Sequence, residues 1–260
     1  MSISRGRGVE AAREIVLYGA KMAEKGFVAA TDGNLSARLP GDEGFLTTPT
    51  GVPKGEISPE SLSRISKDGA VLSGSPSSEW PMHMVIYNKR HDVGAVVHAH
   101  PPFATALACA NVALDQPFLS EVVISLGKVP LVQFEIPSTD ELAGRVAAAM
   151  SNCNGALLAN HGAVTVGQDV RTAYFRMETL EQAARIFLYA KLLGGGKLLP
   201  EEAVSRLKEL GKGYGLSPLP SQACSNCPVA SGEDGIYLKR DDLQKMLADF
   251  ARLAAKGQFR

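Results

Sequence analysis

The chain lacks an excess of charge of either sign: lysine plus arginine and aspartate plus glutamate number 27 each. With no global basic field, it has no long-range means of gripping nucleic acid or an anionic membrane, although a local anion site stays open. It also lacks any apolar run approaching the roughly 18 to 20 residues that a membrane span needs. The two arginines near the N-terminus, Arg5 and Arg7, are not followed by an apolar segment. A cytoplasmic location is the expectation. Cysteine is scarce: Cys109, Cys153, Cys224 and Cys227 are too few and too unevenly spaced to form a disulfide framework in 260 residues. Reduced thiols are expected. There is no internal repeat and no long low-complexity tract.

What is present suits a folded α/β protein. A chain of this length with 45% hydrophobic residues can bury a full core. Ala12, Ile15, Val16, Ala20 and Ala23 recur at helical spacing before Gly26, which predicts an opening helix over residues 9–24. Short strands are expected at 34–39 and 44–48, separated by the turn-forming Pro40-Gly41-Asp42, with a further strand pair around Ser63 and Val71. A helix should start after Ser77-Ser78, whose hydroxyls can cap it, and run to Lys89. Further along, 94–98, 131–134, 155–159 and 163–166 read as strands, and 103–110, 139–150 and 169–193 as helices. Gly194-Gly195-Gly196 ends the last of these. The mixture predicts a layered α/β domain over residues 1–196. Residues 197–260 form an extension with a Ser/Pro/Cys/Gly-rich linker at 217–235 and a charged helix at 240–256.

The histidines carry the first chemical signal. His98 and His100 are two apart on an expected strand, so both imidazoles leave the same face and can chelate one metal ion. His161 ends an apolar strand in Asn160-His161-Gly162; taken alone, it reads as a turn residue before it reads as a ligand. Three histidines with an open fourth position are the pattern of a catalytic zinc site, where water or substrate must enter. His83 lies four residues after Glu79 on one helix face, a packing residue or a partner of the site, and His91 falls in an exposed helix-ending turn.

Groups suited to an anion come next. Thr31-Asp32-Gly33-Asn34-Leu35-Ser36, Thr48-Pro49-Thr50-Gly51 and Ser77-Ser78 combine glycine-freed N–H groups with hydroxyls, which can hold phosphate without a lysine or arginine. The same residues also build ordinary turns. Glu79, directly after Ser77-Ser78, can move protons beside a metal, or can simply complement a helix N-terminus. Cys224-Ser225-Asn226-Cys227 has no second ligand pair, and Gly211-Lys212-Gly213-Tyr214-Gly215 joins no strand to a helix, so neither reads as a zinc knuckle or a dinucleotide loop.

From the residues alone, metal, anion and carboxylate fit a hydrolase, an isomerase or a lyase. The ordered set Gly33-Asn34-x-Ser36, Thr48-Pro49-Thr50-Gly51, Ser77-Ser78-Glu79, His98-Ala99-His100-Pro101 and Asn160-His161-Gly162 resembles the class II aldolase/adducin family, especially its fuculose-phosphate aldolase branch. The resemblance covers about residues 9–193. It implies a three-layer α/β/α domain with a mixed, mostly antiparallel central sheet, assembled as a homotetramer. It also implies one zinc ion per chain on His98, His100 and His161, with manganese or cobalt as possible replacements, and Glu79 as catalytic acid and base. Gly33, Asn34, Thr50, Gly51, Ser77 and Ser78 would bind the phosphate of a sugar-phosphate substrate. The implied reaction cleaves a phosphoketose to dihydroxyacetone phosphate and an aldehyde. The branch has a tyrosine at a position falling within 118–122, where this chain has none, so the substrate stays open. Sugar-phosphate 4-epimerase, methylthioribulose-1-phosphate dehydratase and sugar-acid phosphate decarboxylase chemistry belong to the same scaffold, and a non-catalytic adducin-like module is the reading of another class.

Overall fold

A computed structural model of the chain describes residues 2–213. In chain order the elements are α1 (Ser2–Glu24), β1 (Asn34–Arg38), β2 (Phe45–Thr47), β3 (Ser63–Ile65), β4 (Val71–Ser73), α2 (Trp80–Lys89), β5 (Ala95–Ala99), α3 (Pro102–Cys109), α4 (Ser120–Ser125), β6 (Leu131–Val132), α5 (Asp140–Ala149), β7 (Gly155–Leu158), β8 (Gly162–Gly167), α6 (Val170–Leu192) and α7 (Glu201–Gly213). The eight strands form one sheet in the order β4-β3-β2-β1-β5-β8-β7-β6. Every neighbouring pair is antiparallel except β6 with β7. The expected α/β class, with a mixed and mostly antiparallel sheet between helices, is the observed one.

Strand alternation sorts the core into two layers. Leu35, Val97, Leu157 and Ala163 point to one face, where Ile15 and Met22 of α1, Leu107 of α3 and Tyr174, Met177 and Leu180 of α6 cover them. Val96, Ala156, Leu158, Val164 and Val166 point to the other, against Trp80, Ile86 and Tyr87 of α2 and Leu142 and Val146 of α5. Being covered on both faces is why β5, β7 and β8 read as nearly unbroken apolar runs. His98 shares the α2 side with Val96, because residues two apart on a strand face the same way. Asn34 and Ser36 of β1 reach the same side, and their partners there are Glu79 and His83.

Several local expectations need correction. Ser77-Ser78 do not cap α2: Glu79 takes the N-cap position with no side-chain cap bond, and Ser77 Oγ instead accepts the Glu79 N–H at 3.3 Å. The strand expected over 131–134 is only two residues long, since it pairs on one side alone. Helix α4 lies in a stretch expected to be loop, and α7 in one left without an element. Glycine at 211 suits that helix for a packing reason: a Cβ there would stand 3.1 Å from the Ile124 carbonyl oxygen of α4. The expected 217–235 linker, the 240–256 helix, Cys224 and Cys227 lie outside the described residues. Among the described residues, no helix is long and apolar enough to cross a membrane.

One buried carboxylate fixes the chain just beyond the histidine strand. Glu181 of α6 accepts the N–H groups of Phe103 at 3.0 Å and Ala104 at 2.8 Å, in the first turn of α3. These donors have no partner within the helix, so the carboxylate serves as a cap supplied from a distant element. Glu181→Ala strands both, and is expected to cost roughly 2 to 3 kcal/mol in urea unfolding. A loss below about 0.5 kcal/mol would show that water replaces the carboxylate without penalty.

Candidate metal centre

Three elements deliver the histidines. His98 is the fourth residue of β5, where it pairs with Asn34 of β1 and Val164 of β8 and is fully buried. His100 lies one residue past the strand, its backbone N–H donating to the Phe27 carbonyl at 2.9 Å. His161 closes the β7–β8 hairpin, after Asn160 in the left-handed region at φ 54°. The ring centroids form a nearly equilateral triangle, with separations of 5.0, 4.8 and 5.1 Å. Their ligand atoms all lie within 4.8 Å of one another. The sequence expectation that these three meet is what the fold shows.

The donor geometry suits a metal ion. His98 Nδ1 donates to the Ala163 carbonyl at 2.9 Å, which turns Nε2 inward as the atom that would bind an ion once it gives up its proton. His98 Nε2 and His100 Nε2 stand 3.1 Å apart. Two nitrogens at about 2.0 to 2.1 Å from one tetrahedral zinc stand about 3.3 to 3.4 Å apart, so little adjustment is needed. Glu79 Oε2 is 3.1 Å from His98 Nε2, and its Oε1 is 3.3 Å from His161 Nε2. That Oε1 is buried without a hydrogen-bond partner. The lone-pair atoms thus converge on a common point more than they satisfy one another. His100 Nδ1 lies 3.6 Å from Asp32 Oδ2, a carboxylate that can orient the ring from behind.

Electrostatics tells the same story. Burial alone would raise the Glu79 pKa, but positive charge on His98, followed by His161 and the Asn34 amide, holds it well below the ordinary carboxylate range. Burial works against charge on His98, yet Glu79 outweighs it and the pKa is raised. Burial and then His98 push His161 down to about 4, and the same two causes lower His100. The cluster therefore accommodates positive charge at one point while leaving two imidazoles neutral, the form in which histidine binds a metal.

The anion-site candidates come together beside this cluster. Residues 48–50 and 75–77 run antiparallel, with Thr50 N–H donating to Ser75 O at 3.0 Å and Ser77 N–H to Thr48 O at 3.1 Å. Thr48 also bonds to β1, its Oγ1 accepting the Leu35 N–H at 3.2 Å. The backbone donors of Thr50 and Ser77 are thus already used, leaving their hydroxyls. Thr50, Gly51 and Ser78 are exposed, whereas Gly33 and Asn34 are buried. Gly33 has φ 69°, and a Cβ there would come within 2.9 Å of the His98 carbonyl. Asn34 Nδ2 donates to Glu79 Oε2 at 2.9 Å.

Behind the carboxylate, Ser36 Oγ bonds His83 Nδ1 at 2.7 Å and the Tyr87 hydroxyl at 2.8 Å. His83 is buried as expected of a packing residue, and burial drives its pKa down to about 3. Its Nε2 has no hydrogen-bond partner, so the packing role leaves that atom unsatisfied. His91 is exposed, as expected. Sequence reasoning missed Asp32 as a partner of His100 and gave no role to Tyr87. A period-two link from Asn34 to Ser36, set beside the period-four link from Glu79 to His83 and Tyr87, was the available signal.

A three-histidine cluster with an adjoining carboxylate, on a mostly antiparallel sheet between helices, defines a class of α/β protein whose imidazoles could hold a metal ion. Residues 13–188 match the family model described as class II aldolase and adducin N-terminal domain. The chain belongs to that family. It is 34% identical over 206 residues to the 5-deoxy-D-ribulose 1-phosphate aldolase of Bacillus thuringiensis serovar kurstaki, covering 78% of this chain and 95% of that one. It is 38% identical over 192 residues to the 3-oxo-tetronate 4-phosphate decarboxylase of Pectobacterium atrosepticum, covering 71% and 85%. The crystal structure of an L-fuculose-1-phosphate aldolase from Thermus thermophilus superposes with a TM-score of 0.65 at 33% identity, covering 74% and 100%.

Gly162 makes the cluster's spacing possible. A Cβ there would stand 2.5 Å from both His100 Cδ2 and the Ala99 carbonyl oxygen. Gly162→Ala is expected to displace the His100 ring and weaken zinc binding at least tenfold in competition with a chelator, with the far-ultraviolet circular dichroism unchanged. Affinity within twofold of the parent would mean that His100 does not hold the ion.

Proposed function

We propose that the chain is a metal-dependent aldolase that cleaves a phosphoketose to dihydroxyacetone phosphate and an aldehyde. The observation that carries this reading is the closure of His98, His100 and His161 around one point, with the Glu79 carboxylate 3.1 to 3.3 Å from two of them. Zinc, one per chain on the three imidazoles, would supply Lewis-acid stabilisation of negative charge developing on the substrate's oxygens. Manganese or cobalt fits the same nitrogen donors.

The protein's own groups do the rest. In the cleavage direction the Glu79 carboxylate takes up the C4 hydroxyl proton, the C3–C4 electron pair passes to C3, the C4 carbon leaves as the aldehyde carbonyl, and C3 must then accept a proton. Glu79 is the group placed to deliver it, with Asn34 Nδ2 holding one carboxylate oxygen so that the other faces His161. The hydroxyls of Thr50, Ser77 and Ser78, with the backbone at Gly33, Asn34 and Gly51, supply uncharged donors for the substrate phosphate. Holding the phosphate there fixes the reacting carbons over the metal centre, which is where much of the rate advantage of such sites arises. The names of the aldolase relatives support this assignment, and a sugar-phosphate substrate accords with them.

The 38% identity to a 3-oxo-tetronate 4-phosphate decarboxylase favours a second reading on the same residues. There the bond broken joins a carboxylate to the carbon beside a carbonyl, carbon dioxide leaves, and Glu79 again returns a proton to carbon. Both readings place the protein among lyases acting on a phosphorylated carbonyl compound. A homotetramer is the assembly proposed from the family resemblance.

An assay of the zinc-loaded protein against fuculose, rhamnulose, ribulose and 5-deoxyribulose 1-phosphates separates the two. Release of dihydroxyacetone phosphate, abolished by a chelator and at least 100-fold slower in Glu79→Gln, is the expected result. Carbon dioxide from 3-oxo-tetronate 4-phosphate, with no cleavage of any ketose, would replace the aldolase reading by the decarboxylase one. Turnover of Glu79→Gln within a few fold of the parent would remove Glu79 from the chemistry.

A further inference from the structure

Lys54 is the one buried lysine among the described residues, with 1% of its surface exposed. Its Nζ donates to the carbonyl oxygens of Thr31 at 2.9 Å and Val52 at 2.7 Å. No carboxylate of the described residues lies within 4.0 Å of it; burial lowers its pKa, and the more distant Asp32 carboxylate opposes that only in part. An ammonium is a compact, strongly hydrated charge that is costly to bury without an anion, more so than a guanidinium. Two carbonyl dipoles and the more distant Asp32 carboxylate offset only part of that cost, since the net effect still lowers the pKa. The placement is also held tightly: a Cβ on Gly19 of α1 would stand 3.0 Å from the Lys54 carbonyl, so glycine lets α1 lie against this segment.

The two carbonyls belong to particular loops. Thr31 stands two residues before Gly33, within the turn closed by the Asp32 N–H donating to Ala29 O at 2.9 Å. Val52 directly follows Gly51. Lys54 therefore ties together the segments carrying Gly33-Asn34 and Thr50-Gly51, whose own donors are all uncharged. The Thr31 turn also carries Asp32, which faces His100.

We propose that Lys54 is a positioning residue for phosphate recognition: its buried ammonium locks the 29–34 and 50–54 loops together and supplies the positive charge whose counter-ion is the substrate's phosphate dianion. This rests on the phosphate site of the proposed function. A fixed cation behind neutral donors strengthens their hold on a dianion, because the low-dielectric surroundings screen it weakly. The same cation is left undercompensated when the phosphate is absent, which favours phosphorylated over unphosphorylated substrates.

The test is calorimetric titration of the zinc-loaded protein with ethyl phosphate, a monoester dianion without hydroxyl groups to chelate the metal. The parent is expected to bind it. Lys54→Met should bind at least tenfold more weakly while keeping its zinc content, and Lys54→Arg, which restores the charge, should recover most of the affinity. Ethyl phosphate binding by Lys54→Met within twofold of the parent overturns the role of Lys54 and leaves the phosphate site standing. No binding by the parent overturns the phosphate site itself. Should Lys54→Met fail to fold, the 15Nζ resonance of Lys54 in the parent decides, assigned by its loss in Lys54→Arg. A shift on adding ethyl phosphate supports the proposal, and an unmoved resonance overturns it.

Discussion

The contact on which the centre depends is that of the Glu79 carboxylate with His98 and His161. It joins the N-terminus of α2 to the end of β5 and to the β7–β8 hairpin, three elements far apart in sequence. A buried carboxylate in such a place is tolerable only with positive charge or good donors around it, and the surroundings provide both. Asn34 fixes one oxygen, and the imidazoles supply the charge. The same arrangement holds two histidines neutral and draws cationic charge to one point. A metal ion held by His98, His100 and His161 would take the place of a proton there and would satisfy groups that otherwise crowd one another.

The sheet sets the distances. His98 is pinned by ladders on both sides, with Asn34 opposite it in one and Val164 in the other. A one-residue slip of β5 would turn His98 to the α1 and α6 face and bring an apolar side chain to the metal position. Glycine completes the spacing at Gly162 and at Gly33, both of which lie where a side chain would strike the histidine strand. The centre is thus held by rigid neighbours, whereas the exposed hydroxyls of Thr50 and Ser78 stand on loops paired to each other.

Much of this was legible in the sequence. Strand periodicity placed His98 and His100 on one face, and the apolar runs at 94–98, 155–159 and 163–166 announced strands. The union of His161 with them was carried by the family resemblance, since nothing local to Asn160-His161-Gly162 states which strand it will meet. Helix α4 escaped because six residues give no readable period, and α7 because glycines at 211 and 213 look like a break. The Asp32 to His100 approach and the Lys54 contacts were illegible for another reason. They join loops through side-chain reach and backbone carbonyls, and neither leaves a pattern along the chain.

Whether one metal ion sits on the three imidazoles is decided by X-ray absorption at the zinc edge of the zinc-loaded protein. One zinc per chain, with three histidine nitrogens at about 2.0 to 2.1 Å and an oxygen as the remaining ligand, is the expected result. Sulfur scatterers at about 2.3 Å would place the ion on cysteines such as Cys224 and Cys227 instead and contradict it, as would protein that takes up no zinc.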